Sequence, residues 1–202
     1  MRRADSMILA ALSLGWVVVS SCRDAVVEPE PRPGNGLSLT YADGSEYDAA
    51  GMPTFQGIEV SAATFAVAFP DSVGGLVLAG FRQGEGSRGD LFILQLRGQR
   101  EGHFGPCGIG GDCYGTLLED IDAQNLQDIG AYWTMTDGSV QVDGAGPERV
   151  SGSLADVVLQ RQDDAADRTI RDGTFDVPLL SEEETVDIMQ CFLRRLTGSP
   201  TC

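Results

Sequence analysis

From Leu37 onward, apolar and polar residues alternate in short runs separated by turn-forming residues. This period of two predicts β-strands with one face buried. LSLTY (37–41) and EYDAAG (46–51) flank ADGS, a turn signal between two short strands. In IEVSAATFAVAF (58–69) the end alternates, with Phe65, Val67 and Phe69 on one face and Thr64, Ala66 and Ala68 on the other. LVLAGFR (76–82) and DLFILQLR (90–97) are the most apolar runs and read as central strands. AYWTMT (131–136) and SVQVDG (139–144) predict a hairpin across Asp137-Gly138. ERVSGSLADVVLQRQ (148–162) and RTIRDGTFDVPL (168–179) predict a longer pair joined at DDAAD, with Gly173 marking a bulge.

The period changes at both ends of the chain. Ser181 with Glu184 forms a capping box, and Val186, Met189, Phe192, Leu193 and Leu196 follow at helical spacing. Arg194 and Arg195 fall in the last turn, and Gly198 and Pro200 stop it, which predicts a helix over 181–197. At the other end, Arg2 and Arg3 precede an apolar run from Met7 to Val19. A bilayer core of about 30 Å needs roughly 20 helical residues, so this run is too short to span it. Strands at short spacing with one terminal helix predict an all-β domain, an antiparallel sandwich or flattened barrel with a C-terminal helix.

A charged head, a short apolar body and small residues before a cysteine form the pattern of a secretory signal. Val19-Ser20-Ser21-Cys22 resembles the lipobox of bacterial lipoproteins, with Val19 where leucine is commonest. The resemblance implies diacylglycerol on the Cys22 thiol, cleavage before it and acylation of the new amino group. It implies anchoring in the membrane through lipid, and Arg23 after the cysteine points to the outer membrane of the cell envelope. Each buried CH₂ is worth about 0.8 kcal/mol, so three chains should make release negligible. The expected organisation is a signal peptide over 1–21, a lipidated Cys22 with a proline-rich tether to residue 36, and one β-rich domain over 37–202. The tether alternates Pro29, Pro31 and Pro33, which favours an extended chain. The domain also loosely resembles uncharacterised all-β envelope lipoproteins in its Asp43-Gly44 hairpin and its closing VSGSL…DGTFDV pair, which implies no activity.

Composition narrows the chemistry. The chain has 202 residues and a formal charge of −16. Removing residues 1–21 takes away Arg2, Arg3 and Asp5, leaving 12 basic against 29 acidic residues, a charge of −17. Such a surface repels phosphates, which argues against nucleic-acid partners. Every basic side chain apart from the single histidine is arginine, which excludes lysine Schiff-base chemistry, Ser–Lys dyads and the lysine of phosphate-binding loops. That histidine, His103, lies in a glycine-rich stretch and reads as a solvated loop residue; a multi-histidine metal site cannot be built from one chain. GEGSRG (84–89) fits G-x-G-x-x-G, but a strand-like run follows it where a helix would be needed, so it reads as a hairpin loop.

Setting Cys22 aside leaves Cys107, Cys113, Cys191 and Cys202, an even number that reads as two disulfides in an exported chain. Three pairings are open. The preferred one joins Cys107 to Cys113 and Cys191 to Cys202, and the main alternative links the glycine loop to the C-terminal region. The spacings do not match the usual zinc pairs. Acidic clusters are the remaining candidate ligand sets: Asp163, Asp164 and Asp167 in one turn, and Asp43, Glu46 and Asp48 in another. Calcium would take such oxygens, but neither stretch fits the calcium-loop pattern, and solvated acidic turns are the plainer reading. Strict alternation puts Trp133 on a face with Met135, in the core; a sugar-stacking role would need it exposed. No catalytic residue and no cofactor site emerges. The expected function is a binding or structural module at the envelope, with a carboxylate hydrolase of extracellular polymer or a calcium-stabilised carbohydrate-binding module as alternatives.

Overall fold

The Asp43 carboxylate accepts hydrogen bonds from the Ser45 amide (2.9 Å) and hydroxyl (2.6 Å), and so fixes the first turn. That turn joins β1 (Gly36–Tyr41) to β2 (Glu46–Ala50) as an antiparallel hairpin. The structure is a computed structural model and describes residues 36–50, 64–71, 74–85, 88–98, 100–122 and 125–181. The expected signal peptide, Cys22, the expected tether up to residue 35, and Cys191 and Cys202 lie outside the described residues, as does the predicted helix beyond Ser181.

The remaining strands are β3 (Thr64–Pro70), β4 (Leu76–Gln83), β5 (Arg88–Leu96), β6 (Gly102–Phe104), β7 (Cys113–Asp122), β8 (Asn125–Ala145), β9 (Arg149–Arg161) and β10 (Asp167–Pro178). All ten join one sheet in the order β2-β1-β10-β9-β8-β7-β5-β4-β3, with β6 beside β8. Every named pair is antiparallel. The sheet curls until its two edges meet, giving an all-β, nearly closed barrel. The Tyr47 hydroxyl of β2 donates to the Gly80 carbonyl of β4 at 2.5 Å. Beyond β10, the Leu180 amide donates to the Ala68 carbonyl of β3 at 2.8 Å. The first contact ties the β2 edge across the barrel to β4, and the second covers part of the β3 edge, which would otherwise offer unpaired backbone to solvent.

The barrel interior is filled by alternate residues of each strand. Leu37 and Leu39 face inward from β1, Ala66 and Ala68 from β3, and Phe92, Leu94 and Leu96 from β5. Tyr47, Phe92 and Phe104 are among the largest side chains fully buried there. Burying one such side chain is worth about 1.5–3 kcal/mol, so the interior is a packed core and the main source of stability.

Two sequence expectations change. Asp137-Gly138 does not turn the chain: β8 runs on through it for 21 residues. Both flanks pair with the same neighbour, Met135 opposite Leu159 and Val140 opposite Leu154, with register shifts on either side of Asp137. A hairpin would pair the two flanks with each other and forfeit the long ladder to β9. The dipeptide instead makes a bulge, with Gly138 at φ +126°, where an added Cβ would lie 2.7 Å from the Val157 Cα. Gly173 is not the bulge either. The register shift against β1 falls between Tyr41, opposite Ile170, and Thr40, opposite Asp172, so Arg171 is the extra residue. Gly173 keeps its register opposite Leu154, and its missing side chain admits Leu39, whose methyl a Cβ would approach to 2.7 Å.

Candidate functional site

On several strands the inward register is apolar along its length and polar at one end, the end that carries the β1–β2, β4–β5, β7–β8 and β9–β10 connections. On β4, Leu76, Leu78 and Gly80 are followed by Arg82; on β5, Asp90 precedes Phe92, Leu94 and Leu96. On β7, Glu119 follows Leu117, and on β10, Arg168 precedes Ile170. Tyr41 and Tyr47 complete the set from the β1–β2 hairpin. Alternation puts these groups on the inward face, and closure of the sheet brings them to a common mouth.

The groups are joined in two linked clusters. Arg82 Nη2 meets Asp90 Oδ2 at 2.6 Å, its Nη1 donates to the Glu46 carbonyl at 2.8 Å, and its guanidinium lies 4.9 Å from the centre of the Tyr47 ring. Asp90 Oδ1 accepts from the Asp120 amide at 3.0 Å. In the second cluster Arg168 pairs with Glu119 Oε1 and stacks 3.7 Å from the centre of the Tyr41 ring. Trp133 Nε1 donates to Glu119 Oε2 at 2.7 Å, and Arg161 lies over the indole at 5.9 Å. Burial pushes the Tyr41 hydroxyl up to about 12, against the opposing pull of Arg168. The fully enclosed Tyr47 hydroxyl is raised well above its ordinary value by the same desolvation. Both oxygens of Asp90 and both of Glu119 are engaged as acceptors. Such an arrangement is suited to rigid closure of the mouth, with both carboxylates engaged by partners within the chain.

The residues singled out in the sequence fall elsewhere. Cys107 and Cys113 form a disulfide, with S–S 1.94 Å and Cα atoms 4.6 Å apart, closing the glycine loop as preferred. Ile109 at the tip of that loop is 86% exposed. Asp163 and Asp164 turn onto Arg161 at 2.8 and 3.6 Å, while Asp167 accepts from Gln160 at 3.3 Å. No group of three or more histidine, cysteine or acidic side chains among the described residues is placed to hold a metal ion. His103 is exposed on β6, opposite Gln141, and so belongs to a short strand, not to a loop. Gly84 and Arg88 close the β4–β5 hairpin by a backbone bond of 2.8 Å, in keeping with the loop reading of GEGSRG. Trp133 is buried beside Met135 as the alternation predicts, and Tyr132 faces the opposite side of the sheet.

Sequence reasoning missed the mouth. The signal was present in the parity of Arg82, Asp90 and Glu119: each is a charged residue in line with the apolar inward positions of its strand. Comparison of the chain with models of known families, with curated proteins and with solved structures finds no match.

Proposed function

We propose that this chain is a lipid-anchored protein of the bacterial cell envelope, held to the outer membrane by acyl chains on Cys22, whose acidic barrel serves as a binding or structural module. The observation that carries the reading is the lipobox-like Val19-Ser20-Ser21-Cys22 directly after a short apolar run. The Cys107–Cys113 disulfide supports export, because such bonds persist in oxidising compartments and are rare in the cytosol. Packing supports a surface role: the interior is occupied by side chains such as Phe92 and Phe104, leaving loops, outer faces and the polar mouth for contact. The domain itself brings little attraction for anionic headgroups, so retention falls to the lipid.

The alternatives gain no support from the geometry. A polymer hydrolase would need two carboxylates free to act as acid and base, and the pair at the mouth is taken up by arginines and the indole. Sugar stacking on Trp133 would need an exposed ring, and the ring is 8% exposed. The test is fractionation of Cys22→Ala beside the parent chain. The variant should leave the membrane fraction, and the parent should carry the added mass of acyl chains on an N-terminal cysteine. A variant as firmly membrane-bound as the parent would refute the anchor.

A further inference from the structure

The outward faces of β3, β4, β5 and β7 are buried as well as the inward ones. Val67, Phe69, Phe81, Leu91, Ile93 and Leu118 are between 0% and 8% exposed, yet none belongs to the cluster that fills the barrel. A sheet face of this size stays dry only under a second layer. Among the described strands β5 makes extensive contact only with β4 and β7, its ladder neighbours, so no other strand of the barrel supplies that layer.

The path of the chain after β10 points to the source. Leu179 bridges to Ala68 and packs against the interior cluster, while Leu180, 3% exposed, is not part of that cluster. Successive residues thus face opposite sides of the sheet, and the Leu180 amide bonds the Ala68 carbonyl of the edge strand. The chain has crossed the seam and reached the margin of the outward face at Ser181. The next 21 residues carry Val186, Met189, Phe192, Leu193 and Leu196 at helical spacing. Residues 51–63 are the rival cover, but both their ends are tied to the two sheet edges, at Ala50 and Thr64.

We propose that residues 182–202 dock on the outward apolar face of β3, β4, β5 and β7, as a helix whose stripe supplies the second layer. At about 1.5 Å per residue, residues 181–196 reach roughly 24 Å, enough to cross four strands spaced about 4.8 Å apart. The segment is then a built-in partner of the sheet, and any ligand for that face must displace it.

The test places a photo-crosslinking residue at position 189 or 193 of the full chain and maps the products. Links within one chain to peptides holding Phe69, Phe81, Leu91 or Leu118 are expected. Links to the mouth around Tyr41 and Arg82, links between two chains, or no link to the sheet would overturn the assignment. Hydroxyl-radical footprinting supplies a second readout. Phe81 and Leu91 should be protected in the parent chain and several-fold more reactive in Leu193→Asp, with strand content by circular dichroism unchanged. Equal protection in both proteins would mean that something else covers the face, and reactivity in the parent would mean that nothing does. If Leu193→Asp does not fold, the crosslinks in the parent chain decide.

Discussion

At the hairpin end of the barrel the inward register finishes in Tyr41, Arg82, Asp90, Glu119 and Arg168, whereas at the other end it finishes in Leu76, Leu96, Cys113 and Val177. The strands are the same and the alternation is the same, but the closure is not. One end is held by guanidinium–carboxylate pairs stacked on aromatic rings. The other is held by aliphatic packing, the crossing of Leu179 and Leu180, and the Cys107–Cys113 link. The apolar end should tolerate an apolar replacement of similar volume, because dispersion and hydrophobic burial are not directional. The polar end should be less tolerant, because Arg82 and Arg168 are paired with Asp90 and Glu119, and removing one partner leaves the other half-buried charge without it.

The largest expected effect tests that asymmetry directly. Glu119→Gln nearly preserves volume but takes the charge away from Arg168. It should cost about 2.5 kcal/mol, below the roughly 3–5 kcal/mol of a fully buried pair because solvent still reaches both side chains. Leu96→Met, of similar conservatism at the other end, should cost under about 1.5 kcal/mol. Urea unfolding of both variants measures the difference, and equal costs would remove the distinction between the ends.

Alkaline titration comes next. Tyr41 holds its proton up to about 12 in the folded chain, against about 10 when unfolded. Below pH 10 both states are protonated and this group adds no pH dependence. Between pH 10 and 12 unfolding releases its proton, so stability falls as pH rises, by about 1.4 kcal/mol per unit at most and about 2 kcal/mol over the window. Tyr47, raised further by complete burial, acts in the same direction. On the outer face Tyr132, also raised to about 12 chiefly by burial, adds to the total, so the mouth's share must be read by difference. Tyr41→Phe should reduce the slope by one proton's worth, and an unchanged slope would show that this hydroxyl does not sense the closure.

Much of the architecture was legible in residue alternation. Leu37 and Leu39, Ala66 and Ala68, and Phe92 and Leu94 sit on the faces that a period of two assigns them. What alternation cannot express is which strand pairs with which. Asp137-Gly138 has the chemistry of a tight turn, and only the length of β9, which offers partners to both flanks, turns it into a bulge. The sequence reading assigns no strand to 113–122, because cysteine, tyrosine and glycine at its start continue the look of the preceding loop. The mouth escaped for a related reason. Arg82 and Asp90 stand at the ends of their predicted strands, and their approach to Tyr41 and Tyr47 depends on the sheet closing on itself.

The smallest of these effects belongs to the covalent staple at the apolar end. Cys107 and Cys113 are six residues apart, so the loop they close restricts the unfolded chain only modestly. Chain-entropy reasoning gives about 2 kcal/mol for a loop this short, and measured values tend to fall below such estimates. The link is also backed up by backbone bonds, from the Cys107 amide to the Gly138 carbonyl at 3.0 Å and from the Gly108 amide to the Cys113 carbonyl at 2.8 Å. Cys107→Ser with Cys113→Ser should therefore lower stability by about 1–2 kcal/mol and leave the barrel folded, with Ile109 and its neighbours losing protection in hydrogen exchange while β8 keeps its own. If the double variant unfolded outright, the apolar end would depend on its crosslink as heavily as the polar end depends on its charges, and the contrast between the two would be one of chemistry without a difference in tolerance.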